Sequence, residues 1–154
     1  IVDIETGKIV GKHQGLSKYT LGQRKGLGIG GGAGKTLEAW FVAKKDLKTN
    51  TLFVQQGSGD ALFSDCIVVS DFNWIIEKPQ NGYECLAKFR YRQDFQKVKV
   101  NFANDDVELV CESKQRSVTP GQFAVLYNNE NGKIRCLGGG KIKAVKRDGV
   151  KLDI

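Results

Sequence analysis

The feature that most constrains the fold is a succession of short strand-like segments, separated by turn residues, across the second half of the chain. The segments cover residues 65–70, 72–76, 84–92, 96–102, 106–111, 122–127 and 134–145. Such close spacing favours an antiparallel barrel or sandwich over alternating β-α-β units. Because no long helical pattern is present, we predict a mainly β fold with at most one or two short helices.

The first part of the chain predicts a smaller β-rich unit. Its segments are a hairpin over residues 1–12, a short helix over 15–23 and strands over 39–44 and 51–56. The helix prediction depends on Leu16, Tyr19 and Thr20, which recur at helical spacing. Residues 57–60, Gly-Ser-Gly-Asp, have the composition of a linker. We therefore predict two domains, residues 1–58 and 59–154.

Residues 30–36, GGGAGKT, resemble part of a phosphate-binding loop, GxxxxGK[ST]. Counting back from Gly34, however, the leading glycine is replaced by Ile29, and the residues that follow, EAWFVAK, are β-like. A phosphate loop leads instead into a helix whose N-terminus meets the phosphate. We therefore interpret residues 26–34 as a flexible loop and not as a nucleotide site.

The charge balance favours a polyanionic partner. Net charge is +7, of which +5 falls in residues 1–58 and +2 in the remainder. Nucleic acid is the first candidate, although the same charge equally fits an ordinary basic surface. No apolar run approaches the roughly 20 residues of a membrane span, and no signal peptide is visible. We expect no membrane partner and a cytoplasmic location.

The four cysteines, Cys66, Cys85, Cys111 and Cys136, are widely spaced. No CxxC pair occurs, and a single histidine cannot complete a familiar zinc pattern, so we predict no metal site. The first three lie in or beside apolar segments, which favours free, buried thiols in a reducing cytoplasm. Cys136 has no histidine or carboxylate near it in sequence, and the chain contains no pattern typical of a nucleophile with its base.

Residues 86–93, LAKFRYRQ, are the first candidate contact surface. In a strand alternate residues share a face, so Lys88, Arg90 and Arg92 would line one side, with Phe89 and Tyr91 on the other. Three cations at this spacing suit contact with a phosphate backbone. A charged outward face is, however, also common in antiparallel sheets.

Residues 117–122, SVTPGQ, contain a second candidate. Pro120 and Gly121 fit the central positions of a type II turn. Gln122 would then lie beside the turn, where its amide can hydrogen bond to a base edge or a sugar hydroxyl; it can equally begin the next strand. The glycines at residues 138–140 predict a bulge or a barrel corner.

Taken in order, several motifs resemble one family. They are GKHQGLSKYTLGQRKGLGIGG, AWFVAKKDLKTNTLFVQQG, KFRYRQ, VTPGQFAVLY and CLGGGKI. Their arrangement is similar to that of the tRNA-specific 2-thiouridylases, which place sulfur on the wobble uridine of certain tRNAs. The resemblance extends from the first residues to about Ile142, and the tail at residues 143–154 lies outside it.

The resemblance implies an enzyme of three parts. An N-terminal PP-loop domain binds ATP and carries two catalytic cysteines; a small β-rich central domain and a six-stranded β-barrel similar to a translation-factor barrel follow. ATP activates the uridine, and a cysteine persulfide delivers the sulfur, with a sulfur-donor protein of a relay as partner. This chain resembles only the last two parts, and none of its cysteines matches a catalytic position. It begins on a strand and has no methionine, so we expect a portion of a longer enzyme that is inactive alone.

The same resemblance implies tRNA contacts at Arg90, Tyr91 and Gln122. The strand pattern adds Lys88 and Arg92 as neighbouring cations. We therefore predict the tRNA-binding part of an ATP-dependent tRNA sulfurtransferase, with no catalytic residue of its own. The alternative is a non-catalytic β-barrel module that binds a protein partner, such as a sulfur-relay donor, through an exposed apolar patch.

Overall fold

The computed structural model describes residues 1–30 and 37–153. It divides into two compact units, Ile1–Phe63 with the chain end from Asp153, and Ser64–Leu152. Among the described residues the helical segments are short 3₁₀ turns at Leu16–Lys18 and Asp60–Leu62, and no helix in this part of the chain is long and apolar enough to cross a membrane. The predicted mainly β fold is confirmed.

The first unit contains a three-stranded sheet. Its strands are β1 (Val2–Asp3), β2 (Trp40–Asp46) and β3 (Thr51–Gln56), in the order β1-β3-β2. β1 is parallel to β3, and β2 is antiparallel to it. An apolar cluster joins the sheet to the segment between β1 and β2, which contributes the buried residues Leu16, Tyr19, Leu21 and Leu27. The segment from Leu16 to Leu27 is therefore anchored to the core of this unit.

The predicted helix over residues 15–23 is wrong. Only Leu16–Lys18 forms a 3₁₀ turn, and Tyr19 is already extended. Gly22 donates its N–H to the Val42 carbonyl at 2.8 Å, and Val42 donates its own N–H to the Gln23 carbonyl at 3.0 Å. The backbone of this segment thus pairs with β2 instead of forming helical hydrogen bonds.

The second unit is a closed barrel. Its strands are β4 (Phe63–Trp74), β5 (Tyr83–Lys88), β6 (Gln96–Ala103), β7 (Asp106–Arg116), β8 (Phe123–Glu130) and β9 (Lys133–Arg147), with a short β10 (Val150–Lys151) beside β9. The strand order β9-β4-β7-β6-β5-β8 is closed by antiparallel pairing of β8 with β9. The predicted six-stranded antiparallel barrel is confirmed. Fully buried side chains such as Ile67, Val100, Leu109 and Leu126 belong to its core.

The segments predicted as separate strands at residues 65–70 and 72–76 form the single strand β4. Asp71 has a φ of 48°, and the register with β9 shifts between Ser70 and Asn73. The irregularity bends the strand without ending it, because pairing with β9 resumes at Asn73. Turn-forming residues in the middle of this long barrel strand therefore mark an irregularity and not a strand boundary.

The glycines of β9 that pair with this bend bring two backbones unusually close together. A Cβ atom at Gly138 would lie 2.2 Å from the Asn73 carbonyl oxygen, and one at Gly140 would lie 2.7 Å from the Ser70 carbonyl oxygen. The register of β9 with β8 also shifts next to Gly138. The sheet is therefore irregular beside residues 138–140, where we predicted a bulge or a barrel corner, and the close approach of β4 requires glycine at 138 and 140.

Candidate nucleic-acid interface

The residues between β5 and β6, 89–95, form a loop that we call the Arg90 loop. β5 ends at Lys88, and the Gln93 N–H donates to the Arg90 carbonyl at 3.1 Å to close a turn. The strand predicted over residues 84–92 is therefore wrong at its C-terminal end. A competing hydrogen bond explains this, since Gln93 Oε1 accepts the Phe89 N–H at 3.0 Å and so removes that donor from the strand ladder.

Side chains in the Arg90 loop do not alternate as predicted. Phe89 is buried, with 2% of its surface exposed, whereas Tyr91 is 94% exposed. The two aromatic residues therefore do not share a face. The Arg90 side chain reaches the residue that follows β7, where Nη2 donates a hydrogen bond to the Ser117 carbonyl oxygen at 2.6 Å. The predicted row of three cations on one strand face is consequently wrong.

The second candidate contact lies in the turn before β8. The Gln122 N–H donates to the Thr119 carbonyl at 3.3 Å, and Gly121 has a φ of 92°, the sign that a type II turn needs at this position. The predicted turn is confirmed. It is fixed to β9, because Ile142 accepts the Gly121 N–H at 2.8 Å and donates to the Gln122 carbonyl at 2.7 Å. The Gln122 side chain remains exposed.

Ser117, the first residue after β7, connects this turn with the Arg90 loop. Its φ is 52°, in the left-handed region. Its carbonyl oxygen accepts the Arg90 guanidinium and also the Thr119 hydroxyl, the latter at 3.2 Å. A single acceptor therefore joins the loop that carries Tyr91 to the turn that carries Gln122.

An aromatic surface lies beside these segments on the outer face of β5 and β8. Lys88 pairs in register with Val125 on the neighbouring strand, and Phe123 at the start of β8 is 65% exposed. The Lys88 ammonium lies 4.4 Å from the centroid of the Phe95 ring, which is a cation–π distance. Phe95 in turn packs edge-on against Tyr127, with centroids 5.2 Å apart. The Lys88 ammonium therefore lies over the Phe95 ring, which itself packs against Tyr127.

Together these elements enclose an open groove of about 650 Å³. Of the predicted site residues, the structure brings Lys88, Arg90, Tyr91 and Gln122 together in its lining. Arg92 belongs to the same loop and is exposed, but it is not among the lining residues. The groove also includes residues that the sequence analysis did not select, namely Phe123, Val125 and Tyr127.

The sequence contains a signal for these missed residues. Ala124 and Leu126 are fully buried in the barrel, and alternate residues of a strand face opposite sides. Phe123, Val125 and Tyr127 must then face outward, which is unusual because outer faces of antiparallel sheets are normally polar. An outer face with three apolar side chains indicates a contact surface.

The groove is positively charged and largely aromatic. Lys88 and Arg90 supply the charge, and no carboxylate occurs among the described residues that line it. Burial, followed by the nearby Cys136, raises the pKa of the Tyr127 phenol further above neutral pH. Cations beside neutral rings suit a ligand that combines phosphates with flat bases.

The chain's buried thiols lie outside this groove. Burial raises the pKa of Cys66 to about 11 and those of Cys85 and Cys111 to about 12, which keeps them protonated and unreactive near neutral pH. Of the predicted glycine-rich loop, residues 31–36 lie outside the described residues, and the segment that follows leads into β2 at Trp40. A strand in this position does not fit a GxxxxGK[ST] phosphate loop, which leads into a helix whose N-terminus meets the phosphate.

Two family models match the chain. Residues 1–56, within the first unit, match a tRNA methyl transferase PRC-barrel domain. Residues 64–142, within the second unit, match an aminomethyltransferase beta-barrel domain.

Curated relatives that the chain matches include proteins named tRNA-specific 2-thiouridylase MnmA. The protein of Dichelobacter nodosus is 48% identical over 139 residues, which cover 90% of this chain and 36% of the relative. That of Listeria innocua is 47% identical over 151 residues, covering 96% and 38% respectively. That of Bacillus velezensis is 45% identical over 150 residues, covering 95% and 38%. The chain thus spans little more than a third of the length of these relatives.

Proposed function

Because this chain belongs to the tRNA-specific 2-thiouridylase family, we propose that it is the tRNA-binding portion of an enzyme that transfers sulfur to the wobble uridine of tRNA. The ATP that activates the uridine and the persulfide that delivers sulfur would be bound by parts of the enzyme outside this chain. The chain itself would hold the tRNA and show no activity alone. A cytoplasmic location fits its free cysteines.

The observation that carries this proposal is the groove beside the Arg90 loop. Tyr91 and Phe123 present exposed rings, and stacking of an unpaired base on an aromatic side chain contributes about 1–3 kcal/mol per base. Lys88 and Arg90 provide charge for the neighbouring phosphates, with Arg92 close by on the same loop. Gln122 adds an amide that can donate to and accept from a base edge. Unpaired bases of a tRNA loop have the chemistry that this surface would recognise.

The test is binding of fluorescently labelled tRNA, measured by anisotropy across a series of salt concentrations. We expect affinity to fall with rising salt, because phosphate contacts release counterions. Tyr91→Ala and Phe123→Ala should each weaken binding about fivefold or more, in line with the loss of one stacking contact. Ile134→Ala is the control, since Ile134 is an exposed apolar residue of β9 outside the groove.

The same exposed rings also fit an apolar docking surface, which favours a second candidate function. In that case the groove would bind a protein partner such as a sulfur-relay donor. Absent tRNA binding, or binding indifferent to salt and to the Tyr91 and Phe123 substitutions, would contradict tRNA recognition and favour this alternative.

A further inference from the structure

Gln115, near the end of β7, is a buried glutamine whose amide is bonded at both ends. Only 3% of its surface is exposed. Its Oε1 accepts from Gln93 Nε2 at 2.8 Å, and its Nε2 donates to Gln96 Oε1 at 2.9 Å and to the Ser113 carbonyl at 2.8 Å. A buried amide whose oxygen and nitrogen are both hydrogen bonded is strongly oriented, because each lost partner would leave a polar group unsatisfied.

The side-chain partners of Gln115 lie in the second half of the Arg90 loop and immediately after it. Gln93 also bonds to the beginning of the loop, because its Oε1 accepts the Phe89 N–H. Gln96 is the first residue of β6, immediately after the loop. One side chain of β7 therefore ties down both ends of the segment that presents Tyr91.

We propose that Gln115 is a positioning residue for tRNA binding, which holds the Arg90 loop in its binding conformation through the amides of Gln93 and Gln96. This inference rests on the function proposed above. Gln115 itself lies outside the groove lining, so its effect on the ligand is indirect. It acts by removing conformational freedom from the loop before the ligand arrives.

The loop needs such a support because its own backbone provides little. The last residue of β5 that pairs with β8 is Lys88, and the last that pairs with β6 is Ala87. Tyr91, further along the loop, is almost fully exposed. Ordering a loose loop on binding lowers affinity, whereas a preorganised loop avoids that loss. Releasing the loop should therefore weaken tRNA binding about three- to tenfold without removing any contact to tRNA.

The first measurement needs no tRNA. Gln115→Met keeps the length of the side chain and removes its amide; Gln93→Met cuts the same connection from the loop side, outside the barrel core. In both variants we expect hydrogen exchange of the Phe89 amide to accelerate about fivefold or more, because its acceptor is released. Gln55→Met is the matched control, since Gln55 is an equally buried, doubly bonded glutamine of the first unit. It should leave Phe89 exchange unchanged.

The second measurement is a double-mutant cycle on tRNA affinity, in this chain and in the full-length enzyme. If Gln115 acts through the loop, Gln115→Met should weaken tRNA binding when it is introduced into the wild type. It should cause little further loss of affinity when it is introduced into the Tyr91→Ala variant. A merely structural role would give additive losses, as we expect for Gln55→Met.

The outcomes separate the two proposals. Absence of tRNA binding by the unsubstituted protein would refute the proposed function, and the positioning role with it. Intact tRNA binding together with unchanged Phe89 exchange, or with additive losses in the cycle, would refute the role of Gln115 alone.

Discussion

Replacement of Arg90 tests whether this residue has a structural and a ligand-binding role at once. Its Nη2 is committed to the Ser117 carbonyl, which leaves the remaining N–H groups of the guanidinium fork for a phosphate. A hydrogen bond to a charged group contributes about 1.5–3 kcal/mol, and exposure reduces that figure to about 1 kcal/mol. Arg90→Ala removes both this hydrogen bond and the phosphate contact. It should therefore weaken tRNA binding by about 1–2 kcal/mol, which is about five- to thirtyfold.

The informative variant is Arg90→Lys. A lysine keeps the charge but is a single point donor without the planar fork, so it can reach either Ser117 or a phosphate in a fixed geometry, not both. We expect its affinity to fall nearly as far as that of Arg90→Ala. The salt dependence should distinguish the two, because only the alanine variant loses a counterion-releasing charge, with a slope smaller by about 0.7 for single-stranded RNA.

The assay is tRNA anisotropy over a salt series, with circular dichroism to verify folding. Lys97→Ala serves as the charge-matched control, since Lys97 lies on β6 beside Glu112 at 3.6 Å and outside the groove. The reasoning is wrong if Arg90→Lys binds like the wild type. It is equally wrong if Lys97→Ala weakens binding as much as Arg90→Ala does.

Two further predictions concern the barrel. Gly140→Ala should lower the free energy of unfolding by about 1–3 kcal/mol, because the new methyl would lie 2.7 Å from a β4 carbonyl oxygen. Gly30→Ala is the control, since no atom of the described residues lies within 4 Å of a Cβ at that position. It should leave denaturant unfolding of the barrel unchanged, and equal effects would contradict the steric argument. Alkaline conditions should also destabilise the barrel, since burial raises thiol pKa values to about 11 in Cys66 and about 12 in Cys85 and Cys111. The unfolded chain then releases these protons from about pH 9 upward while the folded chain retains them, so the stabilisation present below pH 9 disappears as pH rises toward 12. Denaturation midpoints across this range should fall less steeply for Cys85→Ala, and parallel curves would contradict the assignment.

The sequence predicted local elements well where one physical cause decides them. The strand at Thr51–Gln56 has the predicted bounds, because its apolar pattern and flanking turn residues agree. The turn at Pro120 and Gly121 follows from the rigid φ of proline and the positive φ open to glycine. In both cases no distant partner was needed to determine the conformation.

Prediction failed where a distant partner decides between two locally acceptable structures. Alternation placed Phe89 and Tyr91 on one strand face, because local spacing could not show that Gln93 would take the Phe89 N–H. Likewise, Leu16 and Tyr19 suit a helix, yet the backbone that follows them, at Gly22 and Gln23, bonds to Val42 in a different strand. Such competition depends on which segments meet in the folded unit, and local spacing does not contain that information.

The same consideration changes how the candidate site is understood. Arg90 and Gln122 belong to separate motifs, and sequence alone treats them as independent contacts. In the folded barrel one carbonyl, that of Ser117, accepts both the Arg90 guanidinium and the hydroxyl of Thr119, the first residue of the turn that carries Gln122. Two residues earlier on β7, Gln115 fixes the same loop through Gln93. The relative placement of Tyr91 and Gln122 is therefore set by the short interval between Gln115 and Ser117, and not by the length of the β6–β7 hairpin that separates the motifs in sequence.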